Sequence, residues 1–264
     1  MNSPGTSPNT NDSNPEGISS PPKTEQTGNK RSLKIRLMAI GVSVAMTAAA
    51  CNTTGQRFGK DETPGKREQV AGALVNKGNI LGQQGKTEEA IAVYNDVDRR
   101  FGKDQAPGVR KPVAWALNNK GFALKKQGKT EEEIAVYNDI DQRFGKDEAP
   151  GVREPVVKAL INKGFALKKQ DKTEEEIAVY NDIDQRFGKD ETSGVRELVA
   201  STLFNKGVAL AQQGKTEKAI AVYNDIDRRF GNDKSPAVLK VVVDALMWQK
   251  MLQLQQQLLQ RLRQ

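Results

Sequence analysis

A Phe-Gly pair recurs every 43 residues in this chain, at Phe58-Gly59, Phe101-Gly102, Phe144-Gly145, Phe187-Gly188 and Phe230-Gly231. Its four tyrosines, Tyr94, Tyr137, Tyr180 and Tyr223, keep the same step. A period between about 20 and 50 residues marks a stack of supersecondary units, each burying its apolar face only against its neighbours. Composition agrees: 36% hydrophobic and 5% aromatic residues are too few for one deep core in 264 residues, but enough for thin helical layers.

Each unit reads as two facing amphipathic helices. In the second copy, Val113, Leu117, Gly121 and Leu124 share one helical face, and Ile134, Tyr137, Ile140 and Phe144 stripe another. Gly128 sits at the left-handed turn between them, a place taken by Gly85, Asp171 and Gly214 in the other copies. Thr130 and Glu133 have capping-box spacing for the start of the second helix, and the acidic runs 131–133 and 174–176 read as first-turn anions. Arg143 precedes the Phe-Gly end of that helix, beside its negative pole. Because proline inside a helix costs about 3 kcal/mol, the first helix is expected to start near Pro112 rather than Pro107. Four units follow at about 57–99, 100–142, 143–185 and 186–228. Copies two and three share the identical run KTEEEIAVYNDIDQRFGKDE, which points to internal duplication.

Leu117, Gly121, Leu124, Gly128 and Tyr137, with Leu74, Gly78, Leu81, Gly85, Ala90 and Tyr94 in the first copy, resemble the spacing of the tetratricopeptide repeat family. The resemblance spans residues 57–229 and implies an all-α, right-handed superhelical solenoid whose first helices line a concave protein-docking face. The chain departs from the family in three ways. Glu133 and Glu176 replace the small residue, Lys77, Lys120, Lys163 and Lys206 replace a leucine, and the unit exceeds the usual length of about 34 residues. Carried over position by position, the resemblance implies that Asn76, Asn119, Asn162 and Asn205 line the docking face. Asn79, Phe122 and Phe165 lie beside them, and Lys125, Lys126, Lys168 and Lys169 stand one turn on. Side-chain amides both donate and accept, so such a column suits an extended backbone; it resembles the asparagine ladder of O-linked N-acetylglucosamine transferases. The bland alternative is that each amide satisfies a neighbouring helix end or faces water. A carboxylate clamp for acidic C-termini is matched only by Asn79, Asn119 and Lys158, while Val75 and Asn162 stand where the family has cations. Trp115 reads as a peptide anchor or, preferably, as packing between units.

Catalysis finds no support. The chain has no histidine and a single cysteine, Cys51, which removes the usual Ser-His and Cys-His constellations and any intramolecular disulfide. No Gly-rich phosphate loop or metal-ligand spacing occurs, so no cofactor is implied. The formal charge of +8 comes from interspersed signs without basic runs carrying aromatics, which argues against nucleic acid.

Outside the repeats, residues 1–29 are polar and expected to be disordered. Residues 30–51 place Lys30, Arg31, Lys34 and Arg36 before a 14-residue uncharged run, Leu37 to Ala50, then Cys51. This is the pattern of an export signal and resembles a bacterial lipoprotein leader, with Cys51 as the lipidation site. Ordinary cleavage or an uncleaved anchor are the alternatives, and each places the repeats outside the cytoplasm, in the cell envelope. A tether at 52–63 leads into the first unit. Residues 230–264 begin a fifth first helix, with Lys250 in place of the expected Gly. They are expected to form a polar-faced cap; the alternative is a heptad-like seam of Met247, Met251, Leu254 and Leu258 that dimerises the chain.

Overall fold

A computed structural model describes residues 63–149 and 151–264, which hold helices and no strands. The leader, Cys51 and the start of the first copy lie outside these residues. In chain order the helices are α1 (Pro64–Gln83), α2 (Thr87–Phe101), α3 (Pro107–Lys126), α4 (Thr130–Phe144), α5 (Arg153–Lys169), α6 (Thr173–Phe187), α7 (Ser193–Gln212), α8 (Thr216–Phe230) and α9 (Pro236–Arg263).

The turns are built as the periodicity implies. Gly85, Gly128 and Gly214 take positive φ between paired helices, and Asp171 takes φ 57° at the same place in the third copy. Each first helix packs on its own second helix, and on the second helix and first helix of the unit before it. Among the described residues, helices more than one unit apart do not pack together. The result is an all-α, tetratricopeptide-like solenoid held by neighbour contacts alone.

Three features repeat through the stack. Gly78, Gly121, Gly164 and Gly207 press against the rings of Tyr94, Tyr137, Tyr180 and Tyr223, so a β-carbon on any of them would overlap the ring. The aromatic therefore sets how closely two helices of a unit approach. The arginines before each Phe-Gly pair reach back one unit: Arg186 Nη2 donates to Asp141 Oδ1 and to the Gly145 carbonyl, both at 2.8 Å, and Arg143 and Arg229 repeat the contact. Gly145 is a glycine because a side chain there would meet the Arg186 guanidinium; its φ of −60° needs no left-handed freedom. A second series joins each first helix to the loop after its own second helix, through Arg67–Asp104, Arg110–Asp147, Arg153–Asp190 and Arg196–Asp233. The Arg67 hydrogen bond holds Asp104 below the usual carboxylate range, and Arg196 does the same for Asp233.

Three expectations are corrected. First, α3 begins at Pro107, with Pro112 inside it. The extra turn buries Val109 and brings Arg110 to Asp147 at 2.9 Å, which offsets the proline's lost hydrogen bond. In the third copy α5 does start later, at Arg153 after Gly151 (φ 81°), and Pro155 falls in its first turn. Second, no capping box forms. Lys129 is the cap residue and Thr130 is already helical; Glu133, one turn before the buried Tyr137 on the same helical face, points inward and is 0% exposed, and Glu176 is 1% exposed. Third, the outer face of α9 is apolar where a polar one was expected. Val238, Val242, Ala245 and Leu252 pack inward, while Val243, Met247, Leu254 and Leu258 are exposed on the opposite side.

Candidate protein-docking face

Because successive first helices touch, they form a continuous wall. An open groove of about 680 Å³ lies in it between α1 and α3. The cause is local. Gly72 in α1 has no side chain where the next unit carries Trp115, so the indole faces open space. Val75 forms an apolar floor, Asn76, Asn79 and Asn119 supply amides, and Glu68 and Lys111 stand at the rim.

The amides are partly engaged. Asn79 Oδ1 accepts from the buried Tyr94 hydroxyl at 2.7 Å and from Asn119 Nδ2 at 2.8 Å. Burial lifts the Tyr94 phenol to about 12, so it stays a hydrogen-bond donor throughout the neutral range. This chain ties the groove's amide to the core and fixes its orientation, leaving the exposed Asn76 as the freest amide. Asn162 Nδ2 makes a longer contact, 3.4 Å, to Oδ1 of Asn118, which itself donates to the Pro155 carbonyl. Asn205 is half-buried in α7.

Four of the predicted Phe and Lys residues form a second patch on α3 and α5, while Lys168 and Lys169 stand beside the buried glutamates. Lys126 Nζ lies 5.1 Å from the ring centroid of Phe122, which is 47% exposed, and Lys125 Nζ lies 5.7 Å from that of Phe165. Lys125 and Lys169 also flank Glu133, and Lys168 flanks Glu176. Burial raises both carboxyls above their ordinary range, and these lysines pull them partly back. The Tyr137 and Tyr180 hydroxyls stand one helical turn from Glu133 and Glu176 and also lower these carboxyls, although neither pair reaches good hydrogen-bond geometry.

The predicted set thus divides. Asn76, Asn79 and Asn119 meet in one groove; Phe122, Phe165, Lys125 and Lys126 meet in another patch; Asn162 and Asn205 belong to neither. The carboxylate-clamp candidate Lys158 is occupied, 3.2 Å from Glu154 and 4.7 Å from the Trp115 ring centroid. Gly72 was missed as a site residue. Its signal is the column it shares with Trp115, where the smallest and largest side chains are neighbours.

The tetratricopeptide repeat family model matches residues 71–100 and 200–228. Those segments run from the first helix through the second in copies one and four, so two of the four units carry the repeat by sequence and all four share its helical hairpin. No curated protein matches the chain. Tetratricopeptide repeats mediate protein–protein interaction in general, and the wall of first helices offers one open groove. Among the described residues no helix is long and apolar enough to cross a membrane.

Proposed function

We propose that the chain is a non-catalytic scaffold that docks an extended or helical segment of a protein partner along its first helices. The groove between α1 and α3 carries this reading. It joins an apolar wall, Trp115 and Val75, to amides that recognise backbone and to rim charges of both signs. The Phe–Lys patch on α3 and α5 extends the same face toward an acidic stretch of that partner. Buried aromatic anchors dominate such interfaces, with truncations costing about 2 kcal/mol or more. Asn76→Ala combined with Trp115→Ala should therefore cut recovery of a crosslinked partner at least about tenfold while helicity persists. Unchanged recovery removes the groove from the account.

The same proposal places the scaffold in the cell envelope, tethered by lipid on Cys51 after removal of the leader; its support is the basic, apolar and small-residue order of residues 30–51. Cys51→Ser should move the chain from the membrane to the soluble fraction, and unchanged partition contradicts lipidation. The second reading, an envelope protein that associates with itself through its C-terminal helix, is favoured by the apolar outer face of α9.

A further inference from the structure

Of ten exposed large hydrophobic side chains among the described residues, nine are on α9. The repeat explains part of this. Val243 occupies the position of Ala71, Ala114, Val157 and Ala200, and Leu246 that of Leu74, Leu117, Leu160 and Leu203, all buried in the internal units. On α9 these two are 64% and 39% exposed. Leu239 stands where the internal units carry the arginine that pairs with Asp in the following loop. α9 therefore keeps the seat for a further helix but has exchanged the ionic link for an apolar one. Among the described residues the chain does not turn back to fill it. Gln257 stands at the turn-glycine position, and the helix runs straight through to Arg263.

We infer that this seat is filled by α9 of a second copy, in an antiparallel pair. Length is the first argument. The apolar stripe from Val243 to Leu262 covers about 30 Å at 1.5 Å per residue, whereas the 15-residue second helices reach only about 22 Å. Of the helices described, α9 alone is long enough and apolar on its free side. Self-complementarity is the second. A two-fold axis between Leu252 and Gln253 sets Met251 against the partner's Leu254, Met247 against the partner's Leu258 and Val243 against the partner's Leu262. Charge is the third. That register brings Asp244, the one acid on α9 and already 2.7 Å from Lys240, opposite the partner's Arg261 as a second cation, whereas parallel pairing sets Lys250 and Arg261 each against its own copy. The stripe recurs at 11 residues (243/254, 247/258, 251/262), a period that keeps the pair straight or slightly right-handed, unlike a heptad seam.

The test uses the full chain with Cys51→Ser, so that introduced cysteines act alone. Light scattering at tens of micromolar should give twice the mass of one chain. Leu254→Lys with Leu258→Lys, both at exposed positions, should return it to one chain with unchanged helicity. Under mild oxidation, Leu258→Cys should not link to its own copy but should link to Met247→Cys in a mixture. A wild-type monomer overturns the proposal, including one that sediments with anionic lipid vesicles instead, and a Leu258→Cys homodimer overturns the antiparallel register. Loss of partner capture with the dimer intact bears on the groove alone.

Discussion

The outer and middle copies of the repeat solve one packing position differently. Copies one and four place Ala90 and Ala219 there, both buried, and are the two that the family model matches. Copies two and three place Glu133 and Glu176 there, equally buried, on helices with the same bounds relative to the repeat. A buried, incompletely paired carboxylate is costly, so the backbone must be fixed by something other than that position. The Gly–Tyr contact and the back-reaching arginine are common to both kinds of copy. What differs is compensation. Lys125 and Lys169 flank Glu133, whereas Ala211 and Gln255 hold the corresponding positions around Ala219.

Moving the acid to an outer copy should have the largest effect. Ala219→Glu inserts volume and an uncompensated charge beside Tyr223, and should lower stability by about 3–5 kcal/mol in urea titrations at neutral pH. A loss under about 1 kcal/mol would mean that the lysines do not matter. Next in size is a tyrosine comparison. Tyr94→Phe removes the hydroxyl that donates to Asn79 and should cost about 1 kcal/mol, while Tyr137→Phe removes a hydroxyl held only in poor geometry beside Glu133 and should cost clearly less. Equal losses at the two sites would erase the distinction.

The smallest effect is also the most diagnostic. Glu133 has its folded pKa raised by burial, so its contribution to stability is complete below the unfolded value of about 4.3 and is lost as pH rises through the folded value. Glu133→Gln should therefore stabilise the protein by about 1 kcal/mol at pH 7, about 2–4 °C in melting temperature, with the gain vanishing near pH 4. Asp104 and Asp233 work in the opposite sense. Their pKa values are lowered, so the stability they supply is present above the unfolded value and is lost as pH falls. The difference between variant and wild type isolates the glutamate from that background.

The architecture was legible because a fixed interval between aromatic, glycine and turn residues permits few arrangements. Leu117, Gly121 and Tyr137 could be assigned to facing helices before any coordinates. The misreadings have one source, tertiary packing that outweighs a local rule. Pro112 argues for a late helix start, yet Val109 and Arg110 gain burial and a partner only if α3 begins earlier. Glu133 sits in an acidic triplet that reads as a solvated first turn, yet its i, i+4 spacing to Tyr137 places it on the face that packs against the first helix. The arginine before each Phe-Gly was read through its own helix dipole, because nothing local reveals an aspartate 45 residues upstream. For the docking face, sequence supplied the asparagines but not the groove, which depends on Gly72 and Trp115 meeting across two units.

The most direct test of the account sets one face of the stack against the other. A photo-crosslinking residue in place of Trp115, on the first-helix wall, is compared in cells with one in place of Ile91, which lines a groove where α2 meets the end of α3. The account predicts a discrete protein adduct from position 115 and none from position 91. Adducts of equal yield from both, or from position 91 alone, would contradict it.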